Sequence, residues 1–141
     1  LNDAHNPAHR PPPAGIFNRG INGYEWELWK LEQYGIPHLP VYITETGWRH
    51  SEPPYHSRDM VATYFDLAWF GNANGRYPHF PRTGWTAWQD DWRITAVTPF
   101  ALHGHPREWK HTNWLTLDEN GAIDLESNKP DSVLNLPKDR N

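Results

Sequence analysis

One carboxylate stands out by its surroundings. In Leu39-Pro-Val-Tyr-Ile-Thr-Glu-Thr-Gly-Trp-Arg49 a β-rich run delivers Glu45 into a turn, with Trp48 three residues further on. A carboxylate held where a strand ends and a loop begins stands where parallel αβ architectures gather their chemistry. Gly47 lets the chain turn there, and Trp48 offers a flat apolar face beside the charge. An ionised carboxylate so placed can act as a nucleophile, and an indole face stacks on the C–H face of a sugar ring. Other groups carry weaker signals. His103 and His105 have a spacing that suits a metal, but no third ligand of clear spacing accompanies them, so they read as solvated loop histidines.

The elements that must position Glu45 are legible on both sides of it. Tyr24, Leu28 and Leu31 recur at spacings of four and three, which predicts a helix over Ile21–Tyr34 with Trp26 and Trp29 flanking the apolar stripe. Asn22 is the expected cap and Gly35 the expected stop. Glu25 and Glu27 fall early in that helix, where carboxylates favour the positive end of the dipole, and read as structural. Val41 and Ile43 alternate with Tyr42 and Thr44, the pattern of a buried strand with two different faces. After the breaker pair Pro53-Pro54 a second helix is expected from Ser57 to about Phe70, with Val61, Tyr64, Phe65, Ala68 and Trp69 as its apolar face. The tract from Gly71 to Asp91 is longer than an ordinary αβ connection, and Trp85, Trp88 and Trp92 in it read as stabilising or partner contacts. Ile94–Phe100 is rich in β-branched residues and reads as the next strand. Asp118-Glu-Asn-Gly121 is a turn, and residues 124–141 read as an irregular tail.

Composition excludes several classes of function. Nine Trp, six Tyr and five Phe make 14% of 141 residues aromatic, more rings than one small core absorbs, which favours ligand-facing aromatic surface. A net charge of −4 without a basic stripe argues against a nucleic-acid partner. The absence of cysteine excludes disulfides and thiolate zinc sites and leaves the compartment open. No apolar run approaches the ~20 residues that span a bilayer, so no membrane partner is expected.

The words around Glu45 resemble the seventh barrel strand of retaining (β/α)8 glycoside hydrolases, the clan that holds the family 5 cellulases, family 17 β-1,3-glucanases and family 53 galactanases. Ile94-Thr-Ala-Val-Thr-Pro-Phe100 followed by Asn113-Trp-Leu115 resembles the eighth strand and the aromatic segment after it. Together these cover roughly residues 20 to 121. Arg49 stands where family 17 enzymes usually carry Pro, so the likeness is to the clan. It implies an α/β fold, a partial (β/α)8 TIM barrel containing the last two to three βα units, over residues 1–123. A complete barrel needs about 250 residues, and this chain has 141. The expected partners are therefore a carbohydrate substrate and the remainder of the barrel.

The resemblance also implies roles. Glu45 would be the nucleophile of a double displacement at an anomeric carbon, and Trp48 and Trp114 would contact the sugar. Clan members use a Tyr or His from the loop after the sixth strand to hydrogen-bond the nucleophile; His5 and His9 are the candidates there, with solvated loop histidines as the alternative reading. A second carboxyl about 5 Å away must protonate the leaving oxygen and later activate water. The clan supplies it as a Glu preceded by Asn at the end of the fourth strand, and this chain contains no Asn-Glu pair. Glu52, Glu108, Asp90 and Asp91 do not match that context. No cofactor and no metal are implied. The alternative is a non-catalytic carbohydrate-binding or degenerate barrel fragment, which keeps the aromatic surface without the acid partner.

Overall fold

The periodic run after Asn22 folds as helix α1 over Tyr24–Gln33. It stops as its sequence requires. Gly35 adopts φ +71, its N–H bonds to the carbonyl of Glu32, and the N–H of Ile36 reaches back to Leu31, so the last carbonyls of the helix are satisfied by a left-handed glycine. The start differs from expectation: Gly23 is the cap and gives no side-chain hydrogen bond. Asn22 is withdrawn from capping because its buried amide donates to the carbonyl of Thr86 at 2.9 Å and to the Tyr24 hydroxyl at 3.4 Å. This computed structural model describes residues 20–51, 53–105, 107–115 and 117–124. His5, His9, Glu52 and the tail beyond Asp124 lie outside the described residues.

Strand β1 spans Val41–Thr46, helix α2 Arg58–Phe70 and strand β2 Ile94–Pro99. The two strands are hydrogen-bonded neighbours in a two-stranded sheet. The Val41 N–H bonds to Arg93 O at one end and the Phe100 N–H to Thr46 O at the other, both at 2.8 Å, so the pairing advances in the same direction along both strands. A parallel pair needs a crossover, and α2 lies in it, making a β-α-β unit. The alternation expected for β1 is present, with Val41 and Ile43 half-buried and Tyr42 and Thr44 exposed. Tyr42 is 62% exposed, so the second face is open rather than buried. A strand is covered on both faces only where layers flank the sheet, and here one face lacks such a layer among the described residues. No helix among the described residues is long and apolar enough to cross a membrane.

The described residues form two compact units, one from residues 20–43 with Leu67–Val97, the other from Thr44–Asp66 with the described residues from Thr98 to Asp124. In the first, Trp88 is 2% exposed, meets Trp69 edge-on at 5.2 Å and donates its indole N–H to Ile21 O. Trp85 donates to Leu67 O at 3.3 Å, whereas Trp92 is 80% exposed. The long tract after α2 is organised by Asn72, whose buried amide nitrogen faces the carbonyls of Tyr77, Phe80 and Pro81 while its oxygen accepts from the Tyr77 N–H. One side chain thereby satisfies backbone groups that a loop would otherwise leave to water. In the second unit Val61, Ala62, Tyr64 and Phe65 are buried, and Asp118 closes the expected turn by accepting from the Asn120 and Ala122 N–H groups.

Candidate functional site

Glu45 is the penultimate residue of β1, and its side chain is exposed. Its φ is +54, in the left-handed region that a residue with a Cβ enters at a cost of about 1–2 kcal/mol. Such conformations persist where the surrounding structure imposes them. Here the following residues do so: Thr46 is buried and its carbonyl is held by the Phe100 N–H, and Gly47 passes through φ +146. A Cβ on Gly47 would lie 3.0 Å from Cζ of Phe65 and 3.4 Å from the Phe100 carbonyl oxygen, so only glycine allows the chain to pass between them. The Phe100-Ala101 peptide at the end of β2 is cis.

The two tryptophans expected to contact sugar are treated differently. Trp48 is 7% exposed, with Tyr64 tilted against it at 5.4 Å and Phe65 edge-on at 4.9 Å. The expectation of an open indole face beside Glu45 is therefore corrected: the ring is taken up by packing against α2, because a large apolar ring beside a helix face gains more from burial than from water. Trp114 is half-buried and meets the same Phe65 ring at 4.8 Å. Its backbone is tied down on both sides, the N–H to Ala101 O and the carbonyl to the Arg58 guanidinium at 3.0 Å. Phe65 thus joins Trp48 and Trp114 in one aromatic cluster, within the unit that carries Glu45. A cavity of about 310 Å³ in that unit is bounded by His103, Lys110, Asn113, Leu115, Leu117 and Asp118. That volume is at the lower end of small-ligand sites. The third residue expected at the site, His5, lies outside the described residues.

Asp91 and Glu25, two carboxylates of the first unit, are structural. Arg93 holds Asp91 with Nε at 2.7 Å and Nη2 at 2.5 Å, and the Tyr24 hydroxyl donates to the same carboxylate. The Arg93 hydrogen bonds pull the Asp91 carboxyl down to about 2 against the upward push of burial. Burial, with Asp91 accepting its proton, raises the Tyr24 hydroxyl well above the usual phenol range. Glu25 completes the group with an ion pair to Arg93 at 3.2 Å.

A histidine in the loop after Glu45 has no counterpart in the sequence reading. His50 is 3% exposed, with Nε2 2.7 Å from the Asn113 carbonyl oxygen and Nδ1 2.5 Å from Oγ of Ser51. Its N–H bonds to His111 O, and the His111 ring donates back to His50 O at 3.0 Å. Burial, helped by the positive charges of Arg58 and His111, lowers the His50 pKa, while its bond to Asn113 opposes the shift. The partners lie some sixty residues away, so only a sensitivity to buried polar residues could have pointed to it. Asn113 itself is pinned by the Gly104 backbone, whose N–H bonds to Asn113 Oδ1 at 2.8 Å. Among the described residues no group of three or more acidic or histidine side chains is placed to hold a metal ion. Comparisons with family models, with curated proteins and with solved structures returned no match to this chain.

Proposed function

We propose that this chain carries the nucleophile-bearing part of a retaining glycoside hydrolase, a partial (β/α)8 barrel acting on a β-linked polysaccharide or oligosaccharide, with Glu45 as the attacking group. The observation that carries the reading is an exposed carboxylate at the C-terminal end of a parallel strand, held at φ +54 beside the end of the neighbouring strand. Backbone strain of this kind concentrates at functional positions, and the C-terminal ends of parallel strands are where such sites are built. Trp114 and the cavity in the same unit supply apolar surface for a sugar ring.

The chemistry follows from the carboxylate. One Glu45 oxygen attacks the anomeric carbon as an acid protonates the departing oxygen, giving a glycosyl ester that water then cleaves with retention. The acid lies on the remainder of the barrel in this proposal, as a Glu preceded by Asn. The test uses a longer protein that contains both segments. Glu45→Ala should lower turnover on β-linked glycans by several orders of magnitude, and azide should restore cleavage while giving a glycosyl azide. Undiminished hydrolysis by the variant would remove the assignment. Glycan binding by the intact protein with no hydrolysis of any β-linked substrate would favour a non-catalytic carbohydrate-binding barrel instead.

A further inference from the structure

We propose a second reactive centre, independent of Glu45: Ser51 is a nucleophile with His50 as its base, and it takes acyl or phosphonyl groups from small activated esters and fluorophosphonates. The geometry assigns the roles. A carbonyl oxygen can only accept, so the Asn113 carbonyl at 2.7 Å places the proton of the neutral His50 ring on Nε2. Nδ1 is then left with its lone pair, and the Ser51 hydroxyl stands 2.5 Å from it. That is within the reach a general base needs to take a proton from a nucleophile.

The surrounding structure holds both groups in place. His50 is anchored by its backbone N–H, which bonds to His111 O, and by its carbonyl, which accepts from the His111 ring, and the Ser51 N–H bonds to His56 O at 2.9 Å. Ser51 adopts φ +81, a strained conformation for a residue with a Cβ, which lifts an exposed hydroxyl over a buried imidazole. A base that is buried while its nucleophile is open to solvent is the arrangement an attacking serine requires. Ser57 gives an internal contrast, because its Oγ accepts the Met60 N–H at the start of α2. In the reaction the Ser51 proton passes to His50 Nδ1 while Oγ bonds to the acyl carbon. The bond to the phenolate leaving group breaks, the phenol departs with the proton, and water then hydrolyses the acyl-serine. With a fluorophosphonate, Oγ bonds to phosphorus and fluoride leaves.

The charged and titratable groups around His50 are Arg58 on α2, His111 after β2 and His56 across the bridge to residue 50. Because burial, with the Arg58 guanidinium nearby, favours its neutral form, His50 is available as a base through neutral pH. The experiment treats the full chain with p-nitrophenyl acetate and with a fluorophosphonate, and maps the modified peptide by mass spectrometry. The expected result is modification at Ser51, about 10²-fold faster than at Ser57, with a rate that is level at neutral pH and falls through one ionisation below the ordinary histidine range. Ser51→Gly, which suits the positive φ and so preserves the fold, should abolish the modification, and His50→Gln should slow it by a similar factor. Equal labelling of Ser51 and Ser57 overturns the proposal. So does a Ser51 that stays unmodified in protein shown to be folded by circular dichroism. If His50→Gln fails to fold, the pH profile decides alone, and a rate that climbs steadily with hydroxide overturns the pairing.

Discussion

In the first unit Asp91 is surrounded by donors, with Tyr24 and Arg93 closing on its oxygens and Glu25 sharing the same guanidinium. In the second, Glu45 stands exposed at a strand end in a backbone conformation that disfavours it. Glu45 lies within one of the two paired strands and Asp91 just before the other, and both follow a β-rich or aromatic run in the sequence. Their environments separate their uses. A carboxylate whose lone pairs are consumed by a guanidinium and a phenol is a brace, since it has no electron pair to offer a substrate. One that is left open on a strained backbone braces nothing, and it is that exposure on which the role proposed for Glu45 rests.

The comparison can be broken or sharpened by substitution. The largest effect on folding is expected in the first unit, where Trp88→Ala removes a ring that packs on Trp69 and bonds to Ile21. It should cost about 3–5 kcal/mol in a urea titration. Next comes the brace itself. With a folded pKa of about 2, Asp91 contributes stability that is fully present above its unfolded value near 4, and this is lost as pH falls from about 4 through about 2. The contribution is about 2 kcal/mol. Asp91→Asn should therefore unfold at lower denaturant at pH 7 and show a flatter acid limb, and an unchanged limb would mean that Asp91 is not the group that braces this unit.

A smaller change, opposite in sign, is expected at the strand end. Glu45→Gly relieves the left-handed backbone and should raise stability by about 1 kcal/mol while removing any glycosidase turnover, measured by denaturation and by glycan cleavage in the longer protein. Loss of stability would show that Glu45 is structural after all. The least effect concerns His50. Its folded pKa lies below the unfolded value near 6.5, so its neutral form is favoured by folding. Stability is complete above about 6.5 and declines as pH falls through that value toward the folded pKa. His50→Gln should flatten that decline, as read by thermal melts between pH 7 and pH 5.

Much of the frame was legible because it depends on neighbours close in the chain. The α1 stripe of Tyr24, Leu28 and Leu31, its stop at Gly35, the helix up to Phe70 and the turn at Asp118 all follow from local periodicity, glycine conformation and side chains that bond their own backbone. Glu45 was visible for the same reason, as a strand-end carboxylate before a glycine. Asn22 misled because capping is a local rule, and a carbonyl sixty-four residues away competed for its amide. Trp48 misled because burial is not encoded in three residues of context: Tyr64 and Phe65 come from a helix that begins ten residues later.

The amino-acid sequence by itself determined which segments become helix and strand, where they stop, and that a lone carboxylate sits at a strand end, since each of these is settled by dihedral preferences and residue spacing over a few positions. Tertiary structure alone decided which rings are covered and which acid is braced, and it set the protonated nitrogen of His50. Those outcomes depend on carbonyls, guanidinium groups and aromatic faces brought in from tens of residues away, and no local preference carries that information.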